Sequence, residues 1–389
     1  MTAVGCVGQY LGVVYGRVEP LFLGRCLTGA AGTYALFIAL YLAECAPSAQ
    51  ANLVASVATL GGLAANAVGP IVNLPWLLGR PTLWPYNFLV PVAFSLCHAA
   101  LMFFVEESPK HLYITAGKAE QAERAFRFYR GRQADWQSQK EEYDKEREVV
   151  PGFQKGSFWQ ILRLPQLRWP FLVILVANLV ITFGGFHIAT KYSTELLESL
   201  GLSQNAAALF TAFGLQAPSV IVAVMYSAFG VVDRVGRRPS MLLGSFVGVI
   251  ATVLLAGTEY LPRGPARLGA GLSAQVLSQC SIYLGPMFVL ALLPVELAPQ
   301  SSRAVSAGVS LTAVCLFTLG VLFAFPPLYD SLGSPAVVPL AFLGLCAFLF
   351  LLWKMPETKG RTPEQLTHLW AMREPLVDEE PPEEIDDNC

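Results

Sequence analysis

The sequence predicts an all-α, multi-pass membrane helical bundle, and three observations carry that reading. Hydrophobic residues make up 54% of the 389 and charged residues only 14%. The mean hydropathy is +0.50, more apolar than a water-soluble surface can accommodate. The apolar residues also gather into ten stretches separated by polar connections. A stretch of about 18 or more such residues can cross the ~30 Å hydrocarbon core as a helix.

The expected spans are 1–16, 21–43, 52–78, 84–105, 169–190, 204–232, 241–261, 268–293, 304–325 and 337–353. The first is the shortest and crosses without margin. Between the fourth and fifth lies a charged connection, 106–168. Its stretch 118–148 mixes helix formers, alternating charges and the aromatics Phe126, Phe128, Tyr129 and Trp136. That mixture reads as short amphipathic helices beneath the bundle. The chain therefore divides into a four-helix N-terminal part (1–105), a helical linker (106–168), a six-helix C-terminal part (169–354) and a tail (355–389). The acidic, proline-containing stretch 374–387 of that tail is expected to be disordered.

Orientation follows from the lysines and arginines of the short connections. Arg234, Arg237, Arg238, Arg303, Lys354, Lys359 and Arg361 fall on the side of the linker, against Arg80, Lys191, Arg263 and Arg267 on the other. The linker, the C-terminus and Met1 are thus expected in the cytoplasm. A net charge of −2 gives no electrostatic footprint for nucleic acid. Six of the eight cysteines lie inside apolar spans without CxxC spacing, and the four histidines are scattered. No nucleophile elbow, phosphate-binding glycine loop or carboxylate pair is present either. Neither an enzyme, a cofactor nor a metal site is expected, and the partners foreseen are a lipid bilayer and a small solute. Oligomeric state is not specified by these patterns.

Short motifs recur at the ends of the spans. Glu107-Ser108-Pro109-Lys110 follows the fourth, Asp233-Arg234-Val235-Gly236-Arg237-Arg238 joins the sixth and seventh, and Pro356-Glu357-Thr358-Lys359-Gly360-Arg361 follows the last. Leu23-Gly24-Arg25, Tyr41-Leu42-Ala43-Glu44 and Pro294-Val295-Glu296-Leu297 with Arg303 complete the set. The chemistry suits a gate: carboxylates are favoured beside helix N-termini, arginines fork onto carboxylates, and Gly236 lets backbones approach. The candidate gate comprises Glu44, Glu107, Asp233, Glu296 and Glu357 with Arg25, Arg234, Arg237, Arg238 and Arg303. It would hold the cytoplasmic ends of the two halves together.

In this order the motifs resemble the sugar-porter branch of the major facilitator superfamily, the facilitative hexose transporters, over about residues 1–361. The resemblance implies a major facilitator fold with about ten of its twelve membrane helices, the chain beginning where the third should be. It also implies facilitative transport by alternating access at the plasma membrane. The family's sugar-binding amides are replaced, however. The glutamine pair of its seventh helix falls on Ile181 and Thr182, the asparagine on His187, and only Tyr192 and Ser193 keep the tyrosine–serine end. The tenth-helix tryptophan falls on Ala291, though Gly285 and Pro286 remain. Polar residues left in the expected cavity are Asn178, Thr182, His187, Lys191, Tyr283 and Asn66. A hexose site needs amide donors and acceptors at each hydroxyl. The expected solute is therefore small, polar and sugar-like, with glucose itself disfavoured. The alternative is a non-transporting regulator, sensor or truncated isoform built on the same frame.

Overall fold

The computed structural model describes residues 1–32, 38, 41–42, 44–46, 51–131, 134–148, 158–298 and 300–359. Every regular element among them is helical. Helices α1 (Thr2–Val14) and α2 (Val18–Gly32) form a hairpin whose backbones touch. A Cβ on Gly24 would lie 2.4 Å from the Gly5 carbonyl oxygen, so only small residues fit that seam. The buried Gln9 donates from Nε2 to Thr28 Oγ1 (3.1 Å) across it. Helix α3 (Ala51–Val72) follows, then a 3₁₀ turn (Trp84–Phe88) and α4 (Val90–Met102).

The linker forms α5 (Ala119–Arg130), α6 (Trp136–Glu148) and α7 (Phe158–Arg163). As the charge pattern predicts, α5 is two-faced: Ala122, Ala125 and Phe126 are buried while its charges face outward. Trp136 packs against Phe126 (5.3 Å between centroids) and Tyr143 (6.3 Å). Arg130 pins this miniature core to the end of the second span, donating to the Ala46 carbonyl (3.2 Å). Phe128, by contrast, is exposed.

The C-terminal part contains α8 (Pro165–Phe183), α9 (Phe186–Lys191), α10 (Ser193–Ser199), α11 (Gln204–Leu209), α12 (Gln216–Ala228), α13 (Val231–Val235), α14 (Arg237–Gly257), α15 (Pro265–Tyr283), α16 (Pro286–Leu297), α17 (Gln300–Leu332) and α18 (Val338–Lys354). Among the described residues, the fifth, sixth and eighth expected spans are interrupted within the C-terminal part. The fifth breaks between α8 and α9 at Gly184–Gly185, and the eighth between α15 and α16 at Leu284–Gly285. The sixth holds a π-turn, Phe210–Gly214, between α11 and α12. Hydropathy cannot see such breaks, because glycine does not lower an apolar average enough. The ninth runs well beyond its expected ends, for 33 residues.

Among the described residues, six stretches are long and apolar enough to cross a membrane: Trp84–Met102, Gln204–Ala228, Arg237–Tyr260, Pro265–Leu297, Ser302–Leu332 and Ser334–Lys354. Thr2–Val14, Leu60–Val72 and Leu167–Phe183 are shorter apolar helices. The 13 residues of α1 rise about 20 Å, short of the hydrocarbon core, as the sequence warned. A core of Val173, Ile174, Val289, Leu293, Leu297 and Leu351 ties α8 to α16 and α18. The two halves meet where Leu63 of α3 packs with Ala223 of α12, Tyr283 of α15 and Phe288 of α16. The acidic stretch 374–387 and Arg361 lie outside the described residues.

Candidate solute site and charged clasp

The Asp233–Arg238 motif folds as a sharp corner. Helix α13 ends at Gly236, whose φ of +108° is open to glycine, and Arg237 starts α14. A Cβ at Gly236 would stand 2.5 Å from Glu357 Oε2, so the missing side chain is also what admits that carboxylate. Glu357 accepts the backbone N–H groups of Arg237 (2.9 Å), Arg238 (3.1 Å) and Lys359 (3.1 Å). It therefore caps α14 from a distant part of the chain, satisfying N-terminal donors that have no partner within the helix. The buried Arg237 reaches Glu296 Oε1 through Nη2 (3.1 Å) and Nε (3.2 Å). The other Glu296 oxygen accepts the Thr358 hydroxyl. Arg238 donates to the Leu352 carbonyl (2.6 Å), Lys359 Nζ to the Arg234 carbonyl (3.3 Å), and buried Arg303 to the Val295 carbonyl (3.0 Å).

The structure thus brings together Arg234, Gly236, Arg237, Arg238, Glu296 and Arg303 of the C-terminal half with Glu357 of the tail. It does not bring the other expected gate residues to them. Glu44 accepts the Ser108 hydroxyl (2.5 Å) in the seam between the second span and the linker, and Glu107 borders the same seam beside Cys45. The side chain of Asp233 lies outside the described set. Arg25 corrects the expected gate: its guanidinium lies over the Phe88 ring (5.9 Å), in the turn between α3 and α4. It stands seven residues into α2, beside the Phe88 turn, whereas Glu44 meets Ser108 at the linker. Arg25 belongs to the end of the bundle opposite the linker.

Most of the expected solute contacts are already engaged within the protein. Asn178 donates to the Ile174 carbonyl of its own helix (2.8 Å). Thr182 pairs with Thr318 (2.8 Å), and the Tyr192 hydroxyl donates to the Leu322 carbonyl (2.7 Å), both joining α8–α10 to α17. The Tyr283 hydroxyl meets Asn66 across the interface of the halves. Gly285, with φ +146°, lets the α15–α16 break lie against α14; a Cβ there would sit 2.2 Å from the Ser240 carbonyl oxygen. Pro286 opens α16 against Gly244. His187 stacks edge-on with Phe186 (5.4 Å), and Lys191 is exposed one turn later.

The sequence reading missed Gln275 and Gln279. Both are fully buried in α15, four residues apart, with Tyr283 a further four along. Ser193 donates to Gln275 Oε1 (2.9 Å) and Thr190 to Gln279 Oε1 (3.3 Å). Ser193 also pairs with Thr211 of the π-turn (2.8 Å), and Ser278 donates to the Gly184 carbonyl at the α8–α9 break (2.7 Å). Two glutamines at helical spacing inside an apolar span were the available signal.

The family profile described as "Sugar (and other) transporter" matches residues 1–370. The human solute carrier family 2, facilitated glucose transporter member 9, is 26% identical over 382 residues, covering 96% of this chain and 68% of that protein. The mouse facilitated glucose transporter member 4 is 28% identical, over 93% of this chain and 70% of that protein. The chain therefore spans about two thirds of the length of these relatives. Among solved structures, the major facilitator proton:xylose symporter XylE bound to 6-bromo-6-deoxy-D-glucose superposes with a TM-score of 0.80. That match, at 21% identity, covers 95% of this chain and 81% of the symporter, and establishes a shared fold.

Proposed function

The chain belongs to the sugar (and other) transporter family, and from that premise we propose that it carries a small, polar, sugar-like solute across a membrane by alternating access, without covalent chemistry. The observation that carries the reading is the pair of interrupted helices, α8/α9 and α15/α16, whose breaks lie beside buried polar side chains. Discontinuous helices with polar groups at bilayer depth are the usual construction of a transporter site. A carrier of this kind needs two packings of similar free energy, biased by solute. The clasp around Arg237, Glu296 and Glu357 gives the C-terminal half a rigid cytoplasmic end that can move as one piece.

Glucose is disfavoured because Ile181 and Thr182 replace an amide pair, and Thr182 is occupied by Thr318. Uptake into proteoliposomes of a panel of labelled hexoses, pentoses, polyols and organic ions tests the proposal. Saturable uptake of at least one polyhydroxylated solute, with glucose poorer than the best, is the expected result. A flat panel for correctly folded protein would overturn the carrier reading. We further propose a plasma-membrane location with the linker and the C-terminus in the cytoplasm, supported by the lysines and arginines that gather on the linker side. An epitope after Lys359 should then be reached by antibody only in permeabilised cells.

A further inference from the structure

Three side chains line up along α15. Gln275, Gln279 and Tyr283 recur every four residues, about 6 Å apart along the axis, on neighbouring positions of one helix face. Gln275 and Gln279 each accept a hydroxyl from another helix, Ser193 of α10 and Thr190 of α9, and Tyr283 faces Asn66 of α3. Three amide nitrogens of this row are buried without a hydrogen-bond partner, namely Gln275 Nε2, Gln279 Nε2 and Asn66 Nδ2. Polar side chains between membrane helices commonly act as glue, but glue works through groups that have found partners. An unsatisfied buried amide is destabilising, and three in one row call for an explanation.

The row sits beside both helix breaks. Ser278, on the same helix, holds the Gly184 carbonyl at one break, and Tyr283 directly precedes the other. At its outer end Thr190 and Lys191 belong to α9, where Lys191 is exposed. At its inner end Asn66 comes from the opposite half. A solute held there would touch both halves, which alternating access requires of a carrier's ligand.

We propose that this row of amides, Gln275, Gln279 and Asn66 with the Tyr283 hydroxyl, is the hydroxyl-recognising site of the chain, taking a neutral polyhydroxylated solute. This rests on the carrier reading above. Recognition has moved from α8, where Ile181 and Thr182 stand, to α15. An amide held at one end by a hydroxyl presents its other end in a fixed direction. A polyol supplies oxygens a few ångströms apart to meet several such ends at once.

The test uses the full chain in proteoliposomes with the best polyol or sugar from the uptake panel. Gln279→Met and Asn66→Leu should each raise KM about tenfold, the usual consequence of losing one well-placed hydrogen bond. Gln9→Met, in the α1–α2 seam, should leave KM unchanged. Thr190→Val and Ser193→Ala untie the anchored end without removing an amide, and should raise KM less. They serve equally if the larger substitutions do not reconstitute. Uptake by wild type with unchanged KM in Gln279→Met and Asn66→Leu, or in the untied variants in their place, would show that the row is packing and overturn the proposal. No uptake by wild type would instead overturn the carrier reading itself.

Discussion

At the scale of single residues, burial decides which charges matter. Arg237 is 7% exposed and its partner Glu296 accepts from it twice, so removing the acid takes a counter-charge away from a cation in a confined place. Breaking a buried pair in this way costs roughly 3–5 kcal/mol. Glu296→Ala should therefore lower the thermal unfolding temperature in detergent markedly. Arg124→Ala should barely move it, because that arginine is largely exposed and its 3.4 Å pair with Glu106 is worth about 0–1 kcal/mol. Equal shifts for the two variants would contradict this ordering. Cys45 makes a second residue-scale case. It is buried at the linker end of the second span, and burial pushes its thiol up from 9.0 to about 11, with the Tyr41 hydroxyl bond opposing in part. The fold thus favours the neutral thiol; that contribution is complete below pH 9 and is lost as pH climbs through 11. At pH 8 the thiolate fraction is about a hundredfold below that of an ordinary cysteine. Maleimide should modify Cys45 correspondingly slowly in native protein and quickly after denaturation, read by mass spectrometry of its peptide.

At the scale of elements, helix ends carry most of the meaning. Helix α14 begins with two arginine N–H groups pointing at Glu357, more than a hundred residues away in sequence. Glu357→Ala removes an acceptor for three backbone donors and a charge placed at the positive end of the helix. A loss of about 1–2 kcal/mol is expected, with faster hydrogen exchange confined to the first turn of α14. Uniform exchange across the C-terminal half would show that the carboxylate is not a local cap. The break before α16 is stricter still. Gly285→Ala would put a carbon 2.2 Å from the Ser240 carbonyl oxygen and hold a non-glycine residue at φ +146°. Because the obstacle is backbone, it cannot be relieved by a rotamer change, and the α15–α16 junction should separate from α14. Purified Gly285→Ala is expected to be far less thermostable than Gly257→Ala, where a Cβ meets nothing within 4 Å.

At the scale of the whole molecule, hydropathy made the helical bundle and its charged linker legible, because lipid imposes long apolar runs on any chain that crosses it. The breaks at Gly185 and Gly285 were invisible to that average, as was the row of amides on α15, which needed the neighbouring helices to show which ends stay unpaired. Arg25 failed for a different reason: a motif match carried it to the gate, although its position in α2 places it at the other end of the bundle. The contact between halves was also out of reach of sequence, since Leu60 and Leu63 look like any leucines of a span. In the fold, Leu63 is 2% exposed and inserts among Ala223, Tyr283 and Phe288, with Leu60 and Tyr226 beside it. Every packing in which the halves separate at this point must expose that side chain. Leu63→Ala removes about 2–5 kcal/mol of burial from the packed arrangement and little from one in which the leucine is already uncovered. The balance between the two should shift accordingly. Spin labels on Leu77, in the turn after α3, and on Tyr260, after α14, should then report a second distance population in Leu63→Ala that is minor in wild type. A single unchanged distribution would mean that the halves are held by something other than this apolar contact.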